Sequence, residues 1–530
     1  MTNGNLGYFS AAAAARGPDA IALIDLSGEA ERVVRYTELE DRLDRVASLL
    51  SARGLGPGAR LAMCVGNRFE FVEVMFGAMR AGVVPVPLNT RQGAPVIAHI
   101  LADAGCEAAI VEPASNAVAA DEVDAAGIGV RLAMMPVDGD ARPPDGWEDY
   151  GDAMARAEPR FEPPSLAPDH VAFQPYTSGS TGRPKGVILT HAGQLWWLDC
   201  LQRHWPSTPD ARALAAMPLY HKNAMAGAIK PLLHAGGSVV ILPTFEPRRF
   251  LTTLATYRCT KTGGVPAAFS MMLRHRDLIG ELDFAALESI TIGSAPVAKE
   301  LADAIEAAFG VPVGESYGLT EGGPVMLGPP TDGRPVPHGS CGVAWPEGEV
   351  KLVDADGTEH PSDGELWVRN PGVTPGYHNL PDVTAKRLGD GWLRTGDLFH
   401  RDADGFYYFR GRTDDMFTSG GENIYPKEVE DLLLSHEAVV DACVVPVPHA
   451  VKGEVPVALV MLAREDATTP AALKEFALRQ GPAYAHPREV VVVDEIPLNG
   501  AGKADRVRVA AMMCERFPRL GQSDRDAARG

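Results

Sequence analysis

The sequence predicts an α/β protein with a β-rich stretch beyond residue 350 and a separate C-terminal part. Three observations carry this. Helix-spaced apolar stripes alternate with short apolar runs over the first 170 residues. From about Val350, short strand-like runs are punctuated by Asp-Gly pairs. The length of 530 residues exceeds one ordinary domain and suggests two to four units at roughly 150 residues each.

The elements follow in order. Residues 36–55 place Leu39, Leu43, Val46 and Leu50 at helical spacing, which makes one buried stripe. Residues 60–65 read as a strand. Asn67 reads as a helix cap with Glu70 three residues on, and the helix should stop near Gly82. Residues 83–88 read as the next strand. This β-α-β unit implies a parallel sheet with helices on its faces. The Pro-rich, acidic stretch 137–169 reads as a surface connector. Residues 238–242 and 289–292 read as short buried strands. Asp-Gly turns are expected at 356–357, 363–364, 390–391 and 404–405. Near the C-terminus, 438–447, 456–462 and 489–493 read as strands. Residues 470–479 read as a helix capped by Thr469, with Pro470 in its first turn. The polar tail from Pro518 reads as frayed.

Composition narrows the function. At 45% hydrophobic the chain can bury a large core. A net charge of -20 argues against a nucleic-acid partner, although a local loop can still hold a polyanion. Seven dispersed cysteines without a C-x-x-C pair read as reduced thiols of a cytoplasmic protein and give no zinc-ligand spacing. The N-terminus lacks a secretory pattern, and no apolar run approaches the roughly 18 residues of a membrane span.

Residues 176–187 read YTSGSTGRPKGV. Gly179 and Gly182 let the backbone close around a phosphate chain with its N–H groups pointing at the oxygens. Thr177, Ser178, Ser180 and Thr181 add hydroxyl donors, and Lys185 adds a positive charge. Gly186 follows the lysine where a Walker loop carries Ser or Thr, so this is another type of phosphate loop.

Five further segments are ESYGLTEGG (315–323), WLRTGDL (392–398), GRTDDMFTSGGENIYPKEVE (411–430), PLNGAGKADR (497–506) and PLYH (218–221). With the glycine loop, and in chain order, they closely resemble the adenylate-forming superfamily of acyl-CoA synthetases, nonribosomal-peptide adenylation domains and firefly-type luciferases. The resemblance covers nearly the whole chain. It implies an acid:CoA ligase that joins a small-molecule carboxylic acid to AMP, using ATP and Mg2+, and then transfers the acyl group to coenzyme A. It implies an N-terminal domain over 1–411 built of two sheet-and-helix subdomains and a small β-rich one. A hinge at 412–414, a mobile C-terminal α+β domain at 415–515 and a frayed tail at 516–530 complete the expectation. The oligomeric state is not readable, a homodimer being one option.

Roles transfer residue by residue. Lys503 matches the mobile catalytic lysine between carboxylate and α-phosphate. Glu321 matches the magnesium-ligating glutamate, and Thr320 the threonine beside the α-phosphate. Asp397 matches the acceptor of the ribose hydroxyls, and Arg412 faces ribose and phosphate in relatives. Ser294, Ala295, Pro296, Ser316 and Tyr317, followed by Gly318, match positions around the adenine. Glu315 stands where many relatives carry Gln or Asn. Asp414 matches the hinge residue. Gly420, Gly421, Glu422 and Asn423 match the pantetheine tunnel, and Arg91 a position that can meet CoA phosphates.

The acid is less defined. His221 closes PLYH beside the expected acyl pocket, with Gly293 and Gly318 completing it. Amino-acid adenylation domains carry an aspartate in this region, and none stands at 218–226. Lys222 and Asn223 occupy positions that aryl ligases fill with apolar residues. Facing the pocket, they imply a small or medium acid with a hydroxyl or second carboxylate; alternatively Lys222 faces solvent, toward CoA. Aryl- or fatty-acid CoA ligases, a ligase that loads a carrier protein, and a luciferase-like monooxygenase are the competing readings.

Overall fold

The computed structural model describes the chain except residues 1–3, 139–140, 179–182, 222–223, 294–296, 298, 465–466, 500–502, 519 and 521–530, and the side chains of Ser178, Pro324, Val325 and Asn423. It is a mixed α/β protein with a large N-terminal domain and a small C-terminal one.

Two parallel sheets dominate the N-terminal domain. One has five strands, in the order Val84–Pro87, Arg60–Cys64, Ala108–Val111, Val130–Ala133 and Glu148–Asp149, all parallel. The other has seven strands. Its parallel part runs Val313–Glu315, Ser289–Ile292, Lys261–Gly264, Arg212–Ala215, Ser238–Ile241 and Ile21–Asp25, and Arg32–Arg35 adds antiparallel at the edge. The helix Tyr36–Ala52 buries Leu39, Leu43, Val46 and Leu50 against the helix Phe69–Arg80. Gly77 permits that contact, because a Cβ there would stand 2.5 Å from Val46 Cβ.

A six-stranded antiparallel sheet follows, with Asp363–Arg369 and Trp392–Arg401 at its centre and Tyr407–Arg412 paired to the latter. The C-terminal sheet pairs Val439–His449 with Gly453–Leu462, flanked by Phe417–Ser419, Glu422–Ile424 and Glu489–Val492. The helix Pro470–Gln480 is capped by Thr469, whose hydroxyl accepts from Ala472 N. Beyond the helix Arg506–Arg516, Leu520 exchanges backbone hydrogen bonds with Pro448 and Ala450, so the tail is tied down as far as that residue.

Three expectations change. Asn67 is no helix cap: Arg68 precedes the helix, and Asp25 accepts from Phe69 N. Asn67 instead donates to Met217 O and accepts from Leu219 N, stitching the two parallel sheets together. The stretch 137–169 is more than a connector, because the helix Tyr150–Arg156 inside it buries Tyr150, Ala153 and Met154. Tyr150 donates to the fully buried Glu73, a partner that sequence spacing does not reveal. Asp363-Gly364 opens a strand rather than a turn. The other three Asp-Gly pairs hold their glycines at positive φ, as tight turns require.

Candidate functional site

In the seven-stranded sheet, parallel strands end together along one edge, the edge where α/β proteins place ligands. Gly293 follows Ser289–Ile292 there, and Glu315 and Ser316 close Val313–Glu315. The chain then forms the strands Tyr317–Leu319 and Gly323–Gly328, with Thr320 and Glu321 in the turn between them. Tyr377 donates to Glu321 Oε1 at 3.0 Å. Tyr377 also bridges Val187, next to the strand Pro184–Gly186 that carries Lys185. That strand pairs antiparallel with Tyr176–Ser178, Lys185 opposite Thr177. Through Tyr377, Glu321 is thereby linked to the segment that follows the lysine of the glycine loop. Gly179, Ser180, Thr181 and Gly182 lie outside the described residues, as does the Ser178 side chain.

Asp397 is the centre of the polar cleft. It is 4% exposed, and it sits directly across the strand pair from Arg412. Arg412 Nη1 lies 2.8 Å from Asp397 Oδ1 as an ion pair, and the Tyr317 hydroxyl donates to Oδ2. Among the described residues Oδ1 accepts no hydrogen bond. Burial raises the Asp397 pKa, while Arg412, the Tyr317 hydrogen bond and the Lys503 charge oppose the rise. The hydroxyl of Tyr317, a residue expected around the adenine, is committed to Asp397, and its ring packs edge-on against Phe399 at 4.7 Å.

Lys503 reaches this cleft from the C-terminal domain, and its carbonyl accepts from Asn499 N at 2.7 Å. Its surface remains exposed in the open cleft, yet the surrounding protein hinders hydration of its charge and lowers its pKa. Asp397 opposes that lowering and Arg412 adds to it. Asp414 is held loosely, 3.5 Å from Arg387 and 3.8 Å from Arg412. Glu315 is pushed up to about 7 by burial, against the Val297 and Gly339 amides and the Lys427 charge. Lys427, from the C-terminal domain, is itself pushed down to about 8 by burial, with Glu430 and Glu315 opposing.

A cavity of about 150 Å³ opens beneath Gly293, Ser316 and Gly318. It runs down the sheet face past Ala215, Gly263 and Thr291 to Lys261, Ser289 and Ser207, and Trp205 and Leu201 wall it. The opposite wall includes the π-helical turn Met225–Ile229. Such turns widen a helix locally and favour functional sites. Gly293 and Gly318 therefore line the cavity as expected, and Ser316, assigned by resemblance to the adenine side, lines it too. His221 is not among its lining residues; its ring lies 5.8 Å from Tyr220. Lys222, Asn223, Ser294, Ala295 and Pro296 lie outside the described residues.

The residues expected to meet coenzyme A lie elsewhere. Gly420 and Gly421 form the turn between Phe417–Ser419 and Glu422–Ile424, with φ of 60° and 92°. Glu422 is exposed, and the Asn423 side chain lies outside the described residues. Arg91 is exposed, close enough to Tyr220 that its charge opposes the burial-driven rise of that hydroxyl's pKa. The sequence reading missed Lys261, Ser289, Thr291 and Trp205. The period-2 alternation of the strands carrying Lys261, Ser289 and Thr291 was readable, but which face meets a cavity was not.

The chain matches known proteins along nearly its whole length. The family profile described as AMP-binding enzyme matches residues 10–378, and that of the AMP-binding enzyme C-terminal domain matches 428–503. The chain is 34% identical to a feruloyl-CoA synthase of Amycolatopsis sp., over 95% of this chain and 98% of that one. It is 32% identical to the fatty acid–[acyl-carrier-protein] ligase ScoC of Streptomyces coeruleorubidus, over 89% of this chain and 90% of that one. The ATP-bound crystal structure of MatB from Rhodopseudomonas palustris superposes with a TM-score of 0.86 at 29% identity, covering 97% of this chain and 99% of that one.

Proposed function

The chain belongs to the AMP-binding enzyme family of AMP-forming acyl- and aryl-CoA ligases, and from that premise we propose that it is an ATP-dependent acid:CoA ligase for a small or medium carboxylic acid with a polar far end. One observation supports this most: the buried Asp397 carboxylate, held by Arg412 and Tyr317, lies where the charge of Lys503 reaches it, and the neighbours of Tyr317, Ser316 and Gly318, line the cavity. An ionised carboxylate accepts several hydrogen bonds, and the lone pairs that Arg412 and Tyr317 leave can accept from sugar hydroxyls.

In the first step a carboxylate oxygen of the acid bonds to the α-phosphorus of ATP, and the bond to the β-phosphate oxygen breaks. Pyrophosphate leaves with the electron pair. Two anions meet, so the barrier falls only if cations face the developing charge. Lys503 supplies one, and Lys185 with the hydroxyls of the glycine loop holds the outer phosphates. Thr320 stands beside the α-phosphate. Arg412 serves the ribose and the α-phosphate. Glu315, with residues 294–296, borders the adenine.

Among the described residues no group of three or more His, Cys, Asp or Glu side chains could hold a metal. Magnesium bound to a nucleotide needs only one or two protein carboxylates beside phosphate oxygens, so Glu321 fits the role. When bound, magnesium would neutralise phosphate charge.

In the second step the thiol sulfur bonds to the acyl carbon, the bond from that carbon to the phosphate oxygen breaks, AMP leaves with the electron pair, and the thiol proton passes to solvent. Lys503 must withdraw first. Rotation about Asp414 fits, because its two loose ion pairs can exchange at little cost. Gly420, Gly421, Glu422 and Asn423 then line the thiol's approach, and Arg91 meets CoA phosphates. The cavity is about the size that takes one benzene ring, which favours single-ring or short-chain acids over long fatty acids. The seven cysteines are all unpaired, which supports a cytoplasmic setting. No helix among the described residues is long and apolar enough to cross a membrane.

The test is AMP release from ATP and Mg2+ over hydroxy acids, dicarboxylates, benzoates and fatty acids, each with and without CoA. CoA-dependent turnover supports the reading. Pyrophosphate released once per enzyme, with no effect of CoA, points to a carrier-protein thiol instead. The similarity to ScoC favours that second reading.

A further inference from the structure

We infer that Lys261 reads an oxygen at the far end of the acid, making the substrate class a carboxylic acid with a hydroxyl or second carboxylate about one ring-and-linker length from the reacting carboxyl. This rests on the ligase reading and deepens it.

Three neighbouring strands make the cavity floor. Lys261 is the Cα partner of Ala213 on one side and of Ser289 on the other, and Gly263 is the partner of Thr291. Residues two apart share a face, so Ser289, Thr291 and Gly293 form one line down the sheet. Gly293 lies at the nucleotide end, where an added Cβ would meet nothing within 4 Å. Four strand positions separate it from Ser289, which at a rise of about 3.3 Å per residue is roughly 13 Å. An acid anchored at the Gly293 end must be several bonds long before its far end meets Lys261. Malonate-sized acids fall short, and acids with a ring or a chain of about seven carbons reach.

The floor between is built of the small residues Ala215 and Gly263, and the Thr291 hydroxyl, opposite Gly263, is its polar group at mid-length. A cation stands only at the far end. There Lys261 Nζ donates to Pro206 O at 2.9 Å and Ser207 Oγ at 3.2 Å. An ammonium carries three donors, so one remains for a ligand. Among the described residues Lys261 has no carboxylate within ion-pair distance; Glu288 acts on it only at longer range. Burial lowers the Lys261 pKa, which marks a cation short of compensating charge. A bound oxygen acceptor supplies that compensation, with the Ser289 hydroxyl beside it. A charged hydrogen bond of this kind is worth about 10- to 100-fold in affinity.

The experiment compares matched acids: 4-hydroxycinnamate with cinnamate, and octanedioate with octanoate. The readout is the ratio of kcat/KM within each pair in the CoA-dependent assay. The wild type should favour the far-oxygen member of at least one pair by about 10-fold or more, and the pair that responds tells a phenol from a carboxylate. Lys261→Met should bring that ratio near one, and Lys261→Arg should retain most of it. A ratio near one in the wild type, or one that Lys261→Met leaves unaltered, overturns the assignment while the ligase reading stands. Absence of CoA-dependent turnover with every acid overturns the ligase reading, and this one with it. Should Lys261→Met lose cooperative unfolding, Ser289→Asp replaces it. Its carboxylate would pair with Lys261 across the strands and must also abolish the preference.

Discussion

Arg412→Met tests the electrostatics of the cleft. Asp397 is 4% exposed, and its Oδ1 has Arg412 Nη1 at 2.8 Å as its close cation. Removing one partner of a buried ion pair costs about 3–5 kcal/mol. Two features reduce that here. The Tyr317 hydroxyl still donates to Oδ2, and the Arg412 side chain is 39% exposed, so solvent already screens part of the pair. A loss of about 2 kcal/mol is expected near neutral pH, seen as a fall of a few degrees in the midpoint of thermal unfolding.

The pH dependence separates this mechanism from lost packing. The folded Asp397 pKa is already raised above its ordinary 3.8. Between those two values the folded state holds the proton more tightly, so stability falls as pH rises through the window. Removing Arg412 raises the folded pKa further and extends the window upward. The deficit of the variant should therefore be small near about pH 4 and full near about pH 8. In an Asp397→Asn background Arg412→Met should cost less than half as much. A deficit equal at both pH values and in both backgrounds would refute the reasoning, because lost contacts to Asp414 or lost packing do not titrate with Asp397.

Other outcomes follow from the same geometry. Lys503→Met should lower acid-dependent ATP–pyrophosphate exchange by about 10²–10³-fold, the usual effect of removing one charge stabiliser. Thioester formation from preformed acyl-AMP should fall less than about tenfold; equal losses would contradict a lysine that withdraws between steps. Glu315, pushed up to about 7, gains negative charge through neutral pH, so KM for ATP should rise between about pH 6 and 8; Glu315→Gln should flatten that rise. Lys230 is 3% exposed, donates to Gln194 Oε1 at 2.6 Å, and is pushed down to about 7 by burial. The unfolded chain then binds the extra proton between about 7 and the ordinary 10.5, so stability should increase with pH across that window. Lys230→Met should lose that increase, and an unchanged slope in denaturant titrations would count against it.

Much of the fold was legible because its signals are local. The stripe Leu39, Leu43, Val46 and Leu50 fixed a helix without reference to its partner. Thr469 announced the helix Pro470–Gln480 because a cap acts within three residues. Asn67 misled because a cap and a tertiary bridge use the same side-chain amide, and only the approach of Met217 and Leu219 selects between them. The helix Tyr150–Arg156 lay inside a polar, Pro-rich stretch, and it forms where Tyr150 finds Glu73.

The same division holds for the site. The sequence alone carried the reaction class through its resemblance to a known family, because the glycine loop, the Thr320-Glu321 pair, Asp397 and Lys503 stand in short segments that match that family in chain order. Tertiary structure alone decided that Tyr317 serves Asp397, that the charge of Lys503 reaches Asp397, and that Lys261 lines the cavity beside Ser289. Lys261 and Ser289 are neighbours only because parallel strand order sets their segments side by side. That order depends on crossover packing over long stretches of chain, which no local pattern encodes.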